Sequence, residues 1–156
     1  MRRLLVLVGG FVLAGGIGPA ADPADPPKVT AAQLVEAFLT NEAAADEQYV
    51  GKPVDVTGKV VRVSRSNWAD GPAGEPGYAL VLDQEKAGRG GPVELDVLFL
   101  FAAADRPALA KLKPGDVVTV RGECGSRAVW AAEVGKGGKD YSLVRVKGCR
   151  LILPKA

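Results

Sequence analysis

The chain has 156 residues, one domain's worth of sequence, with 20 Lys and Arg against 18 Asp and Glu and no histidine. Without histidine, Ser-His-Asp, Cys-His and His-ligated metal chemistry are excluded. Two cysteines alone would need carboxylates to complete a zinc site, so the inventory points away from an enzyme and implies no cofactor or metal.

Met1-Arg2-Arg3 forms a short positive region, followed by an apolar run from Leu4 to Ile17 and the small residues Gly18-Pro19-Ala20-Ala21. This is the pattern of a secretory signal over residues 1–21, with cleavage expected after Ala20 or Ala21. The apolar run, about 15 residues, falls short of the roughly 20 that span a bilayer. The protein is therefore expected to be exported, periplasmic or extracellular, with no membrane span after cleavage. Removing Arg2 and Arg3 leaves 18 bases against 18 acids. A nucleic-acid binder usually shows a basic excess, so an oligosaccharide or an envelope protein is the expected partner in preference to nucleic acid. Charge is uneven along the chain all the same. Six acids lie between Asp22 and Glu47 against Lys28 alone, and eight bases follow from Arg121 onward against Glu123, Glu133 and Asp140. Either the two segments neutralise each other or the basic one is a binding patch.

Residues 22–29 are rich in Pro and Asp and read as a flexible spacer, with the folded domain over residues 30–156. Thr30 is placed to cap a helix, with Gln33 completing a capping box and Leu34, Val35, Phe38 and Leu39 at helical spacing as far as Asn41. A second short helical turn over Glu42–Glu47 precedes Tyr49. From Val54 the period becomes two. Val61 and Val63 then run one residue out of phase with Val54, Val56 and Val60, which predicts a bulge or bend near Gly58. Short strands are expected at Tyr78–Leu82 and Val93–Phe101. Gly88-Arg89-Gly90-Gly91 lies in the turn between them and lacks the strand–helix setting of a phosphate loop. A short helix within Ala102–Lys113 would turn Leu109 and Leu112 inward. A strand at Val117–Glu123, a long Gly-rich insertion at Gly125–Tyr141 and a last strand at Leu143–Leu153 complete the chain.

A long bent first strand, with a helix between strands three and four, is the order of a five-stranded OB-type barrel. An open antiparallel sheet with a helix on one face is the alternative. The segment Asn41 to Val54, with Tyr49-Val50-Gly51-Lys52-Pro53-Val54 running into Val56-Thr57-Gly58-Lys59-Val60, resembles the tRNA-anti-like OB-fold family. So do Leu112-Lys113-Pro114-Gly115-Asp116-Val117, Val120-Arg121-Gly122-Glu123-Cys124 and the closing Gly148-Cys149-Arg150-Leu151. The resemblance covers about Leu34 to Leu153 and implies a mainly β, OB-type fold. Exported members of that family are largely of unknown role, so it implies no binding residue.

In an exported chain an even cysteine count favours a disulfide, here Cys124–Cys149, with two buried thiols as the alternative. OB barrels bind ligands across strands two and three and the loops after strands one and four. Those loops are Ser64–Gly77, with Arg65 and Trp68, and Gly125–Tyr141, with Arg127, Trp130 and Tyr141. Aromatic and basic residues together suit stacking on a base or sugar ring, although two tryptophans could equally plug the barrel ends. The expected function is thus a non-catalytic exported OB-fold binding module. The alternatives are an envelope interaction protein without a small ligand, and a single-stranded nucleic-acid binder.

Overall fold

The computed structural model describes residues 25–66, 77–84, 87, 93–130 and 140–152. The expected signal, Trp68 and the Gly-rich run from Gly135 lie outside them. The chain is mainly β, and among the described residues six strands form one sheet.

The N-terminal helices form where local chemistry favours them. Thr30 Oγ1 accepts the Gln33 N–H at 3.1 Å while Gln33 Oε1 accepts the Thr30 N–H at 2.8 Å, so the capping box opens α1 (Ala31–Thr40). Leu34, Val35 and Phe38 bury the inner face of α1. Asn41 ends α1 and caps α2 (Glu42–Tyr49), its Oδ1 accepting the Ala44 N–H at 3.1 Å. The segment before α1 is shorter as a spacer than expected, because Lys28–Thr30 form a strand, β1. Three residues leave no periodic trace. β1 exists because β2 (Pro53–Ser66) offers it an edge, with Lys28 beside Asp55 and Thr30 beside Thr57 in parallel register.

The remaining strands are β3 (Gly77–Leu82), β4 (Val93–Phe101), β5 (Val117–Trp130) and β6 (Asp140–Ile152). Hydrogen bonds run from β2 to β3, β4, β6 and β5 and return from β5 to β2, closing a ring of five strands with β1 outside it. β4 and β6 are parallel, and the other ring pairs are antiparallel. Val54, Val56, Val60, Leu80, Leu82, Leu95, Val97, Phe99, Val120, Val144 and Val146 fill the core with the inner face of α1. Strands β5 and β6 extend beyond the lengths expected, so much of the segment taken for a loop insertion is a hairpin arm, with Trp130 paired to Tyr141. The predicted helix before β5 is reduced to a 3-10 turn, Ala103–Asp105, and a single turn α3 (Arg106–Leu109) that buries Leu109.

Long β2 is divided at a bulge. Pro53–Lys59 pair with β5, and Val60–Ser66 pair with β3 with a register shift between Val60 and Arg62. The phase slip read from Val61 and Val63 is this bulge, located at Val61 and not at Gly58. Gly58 has another reason to be glycine: a Cβ there would lie 3.0 Å from Leu82 Cβ.

Two polar contacts consolidate the sheet. The β3–β4 ladder is regular only from Tyr78↔Phe101 to Leu80↔Phe99. Beyond it the buried Gln84 amide takes over the pairing, donating to Leu95 O and accepting the Val97 N–H, both at 2.9 Å. On the outer face, Asp55 stands opposite Arg121 and forms a two-pronged pair, at 2.6 Å from Nε to Oδ1 and 2.7 Å from Nη2 to Oδ2. This hydrogen-bonded pairing to Arg121 holds the Asp55 carboxyl below the usual carboxylate range, against the opposing effect of burial, and Lys28 and Arg150 add to it.

Two outcomes follow. Gln84→Ala strips partners from two buried backbone groups and should cost about 1–3 kcal/mol for each, read by urea denaturation. Asp55 has a lowered folded pKa, so its contribution is present above the unfolded value and is lost as pH falls through the folded one. Asp55→Asn should therefore lower the melting temperature at neutral pH and flatten its acid dependence below about pH 4.

Candidate functional site

Past the bulge, β2 has one strand neighbour. Val60 is still bonded on its outer edge, its N–H to Asp116 O and its O to the Gly115 N–H, both at 2.8 Å. Gly115 reaches that position with φ +93°, in a turn closed by the Lys113 N–H on Asp116 Oδ2 at 2.8 Å. From Val61 to Arg65, among the described residues, β3 is the only strand that pairs with β2. Between this edge and the α3 segment lies an open groove of about 550 Å³. Its floor is aliphatic: Val61, Val63, Leu109 and Leu112, with Pro114 at one end. Arg62 and Arg65 stand on the β2 side, Arg106 on the α3 side, and Tyr78 faces in from β3 opposite Arg65. All three arginines are exposed, and among the described residues no carboxylate lines the groove. Among the described residues none of the three forms an ion pair.

Of the residues singled out from sequence, Arg65 lines this groove. Arg127, expected in a loop, is part of β5 and is committed to structure. Its Nη1 pairs with Glu42 of α2 at 3.0 Å and its Nη2 donates to Ser142 Oγ at 2.9 Å. That contact joins one acid of the N-terminal segment to one base of the C-terminal segment. Tyr141 is exposed on the hairpin arm, Trp68 lies outside the described residues, and for Trp130 only the backbone is described. The structure does not gather this set into one cluster. Arg65 pairs with Tyr78, which pairs with Phe101, whereas Tyr141 pairs with Glu94. Seven residues of β4 separate those points, roughly 23 Å at about 3.3 Å per residue. Arg62, Arg106 and Tyr78 escaped sequence reasoning. The trace they left was the phase slip at Val61, which marks where β2 leaves β5 and turns an apolar side chain to solvent.

The expected disulfide is not formed. Cys124 and Cys149 are both free, buried thiols, Cys124 Sγ donating to Gly125 O at 3.5 Å and Cys149 Sγ to Val146 O at 3.2 Å. The register supplies the reason. Cys124 lies opposite Val146, and bulges flank this part of the β5–β6 ladder. Cys149 follows Gly148, whose φ is +58°, and lies over Gly122, where an added Cβ would be 2.9 Å from its Sγ. The cysteines are thus diagonal, not opposite, and diagonal Cβ atoms stand well beyond the ~3.8 Å that a disulfide requires. Burial pushes the Cys124 thiol up to about 12, with Asp46 adding to the shift, and burial raises Cys149 as well. Tyr49, beside Cys124, is raised first by burial and then by that neighbour.

The profile of the tRNA_anti-like family matches residues 18–129. The chain belongs to the tRNA_anti-like family. A crystal structure from Klebsiella pneumoniae subsp. pneumoniae MGH 78578, described as a "putative nucleic acid-binding lipoprotein", is similar in fold at a TM-score of 0.56 and 20% identity, covering 83% of this chain and 94% of that one. The OBody AM3L15 bound to hen egg-white lysozyme matches at a TM-score of 0.36 and 17% identity, over 69% of this chain and 80% of that one, too weakly to carry an argument. No curated protein matches the chain in sequence. The tRNA_anti-like match ends one residue before the end of β5, so β6 lies beyond it.

Buried, protonated thiols react poorly, because the thiolate is the nucleophile. In the native protein at pH 8 both cysteines should resist alkylation, and both should label once the chain is unfolded without reductant. Mass spectrometry distinguishes this from a linked pair, which would take up no label.

Proposed function

We propose that the protein is a non-catalytic, exported binding module built on a five-stranded OB-type barrel, and that its ligand lies in the groove between β2 and α3. The ring β2–β3–β4–β6–β5, with β4 and β6 parallel and a short helical plug before β5, supports the barrel. Export is supported by the N-terminal pattern of charge, apolar run and small residues. Among the described residues no helix is long and apolar enough to cross a membrane. A binding role without catalysis is supported by a chain lacking histidine and by thiols held protonated.

The observation that carries the site is the groove itself: an aliphatic floor left half-covered, bordered by three exposed arginines from two separate elements. Charged side chains converging on apolar surface are what a binding site offers and what a packed core avoids. Single-stranded nucleic acid is the second reading, favoured by those arginines and by the name of the Klebsiella lipoprotein. The balance of 18 bases and 18 acids after signal removal weighs against it, since phosphate contacts supply most of such affinity.

The test is a panel of oligosaccharides, single-stranded oligonucleotides and peptides screened against the wild-type protein and Val61→Glu. Val61 is 40% exposed at the bulge, so the change should leave the melting temperature unaltered while placing an acid on the groove floor. Binding lost in the variant supports the site. A ligand held equally well by both places the site elsewhere.

A further inference from the structure

The groove runs along a strand edge, and that fixes more about its ligand than the arginines do. Val61–Arg65 pair with β3 along one edge and with no described strand along the other, and Val61, Arg62, Val63 and Arg65 line the groove. Such an edge is a template for one more strand. The neighbouring chemistry selects among ligands. Sugar hydroxyls and base edges need a mixture of donors and acceptors, yet the described lining residues supply arginine donors and, apart from the Tyr78 hydroxyl, no side-chain acceptor. Stacking on nucleobases uses successive aromatic rings, and among the described residues Tyr78 is the single aromatic side chain in the lining. An aliphatic floor favours aliphatic side chains, and guanidinium groups favour carboxylates.

Resting on the assignment of the groove as the ligand site, we propose that its occupant is an extended acidic segment of a partner polypeptide. The segment adds as a strand to the Val61–Arg65 edge. Its aliphatic side chains lie on Val61, Val63 and Leu112, and its carboxylates meet Arg62, Arg65 and Arg106. In strand addition the main chain supplies affinity and alternate side chains supply specificity. Here the alternation is built in, because the bulge at Val61 brings an exposed valine and an exposed arginine to the same groove. The edge is about 17 Å long at ~3.4 Å per residue, enough for five residues of the added strand.

The experiment uses a fluorescein-labelled peptide of about nine residues, alternating Glu and Val, long enough to cover that edge with overhangs. Anisotropy is measured against the purified protein and against Arg62→Glu, Arg65→Glu and Arg106→Glu, all at exposed positions. The acidic peptide should bind, and each reversal should weaken it about tenfold or more without moving the melting temperature. The same peptide with alternate backbone amides N-methylated should bind about tenfold more weakly or worse, since it cannot complete the ladder. Equal binding of the methylated peptide overturns strand addition. If a thymidine oligonucleotide or a polygalacturonate oligomer binds in an Arg65-dependent way and the peptide does not, the peptide class is wrong while the groove remains the site. If no probe binds in an Arg65-dependent way, the groove fails with it. A dimer in sedimentation that Arg65→Glu dissociates would assign the edge to a second copy of the chain and overturn the proposal.

Discussion

One strand carries the architecture. β2 pairs with β1, β3 and β5, and it does so by dividing its length. A strand has two edges, and β2 gives its first seven residues to β5 and most of the rest to β3. Such a handover turns the strand from one wall of the ring into the next, and the extra residue at Val61 supplies the bend and the added twist. Ring closure, the place of α3 and the exposed edge are all consequences. If β2 ran straight and paired along its whole length with β5, the β2–β3 ladder would move, and Val60 would lose its position opposite Leu82 in the core.

The charge distribution has the same logic. Arg121 and Arg127 are held by carboxylates, Asp55 in the opposite strand and Glu42 at the start of α2. Both are partly covered, and both tie one element to another. Arg62, Arg65 and Arg106 are exposed and border a groove that has no acid among its described residues. A net charge near zero therefore conceals a division between cations that hold the fold together and cations turned to solvent. Asp55 shows the first class most clearly, since its carboxyl is depressed by the arginine opposite and by two further cations along the same face.

Much of this was legible in the sequence, and the exceptions have physical causes. The capping box at Thr30 and Gln33 is a local interaction, so three residues sufficed to place α1. Period-two alternation located β2 and β4, and the phase slip at Val61 announced the bulge. β1 was invisible because its three residues are a strand only by virtue of β2 beside them. Gln84 looked like part of a polar turn. Its burial depends on Leu95 and Val97 presenting unpaired backbone groups, a condition set by the end of the β3–β4 ladder. The cysteines sit in neighbouring strands, but pairing depends on register, and the bulges around Cys124 were not encoded in any local pattern. Arg65 was singled out as a loop residue and proves to lie in β2, whereas Arg106 and Tyr78 join it only through the tertiary placement of α3 and β3.

An unpaired edge needs protection whatever else it does, and natural sheets protect edges with charge and with bulges. The Val61–Arg65 segment has both. Protection alone would explain Arg62 and Arg65, which repel the same edge of a second copy. It would not explain why Arg106 is brought up from α3, nor why Val61 and Leu112 are left lining a groove that a longer α3 would have filled. Like charge on the β2 and α3 sides of an apolar slot excludes the chain's own basic edge and admits a strand of opposite charge. Protection and selection are then the same arrangement, viewed from the wrong partner and from the right one.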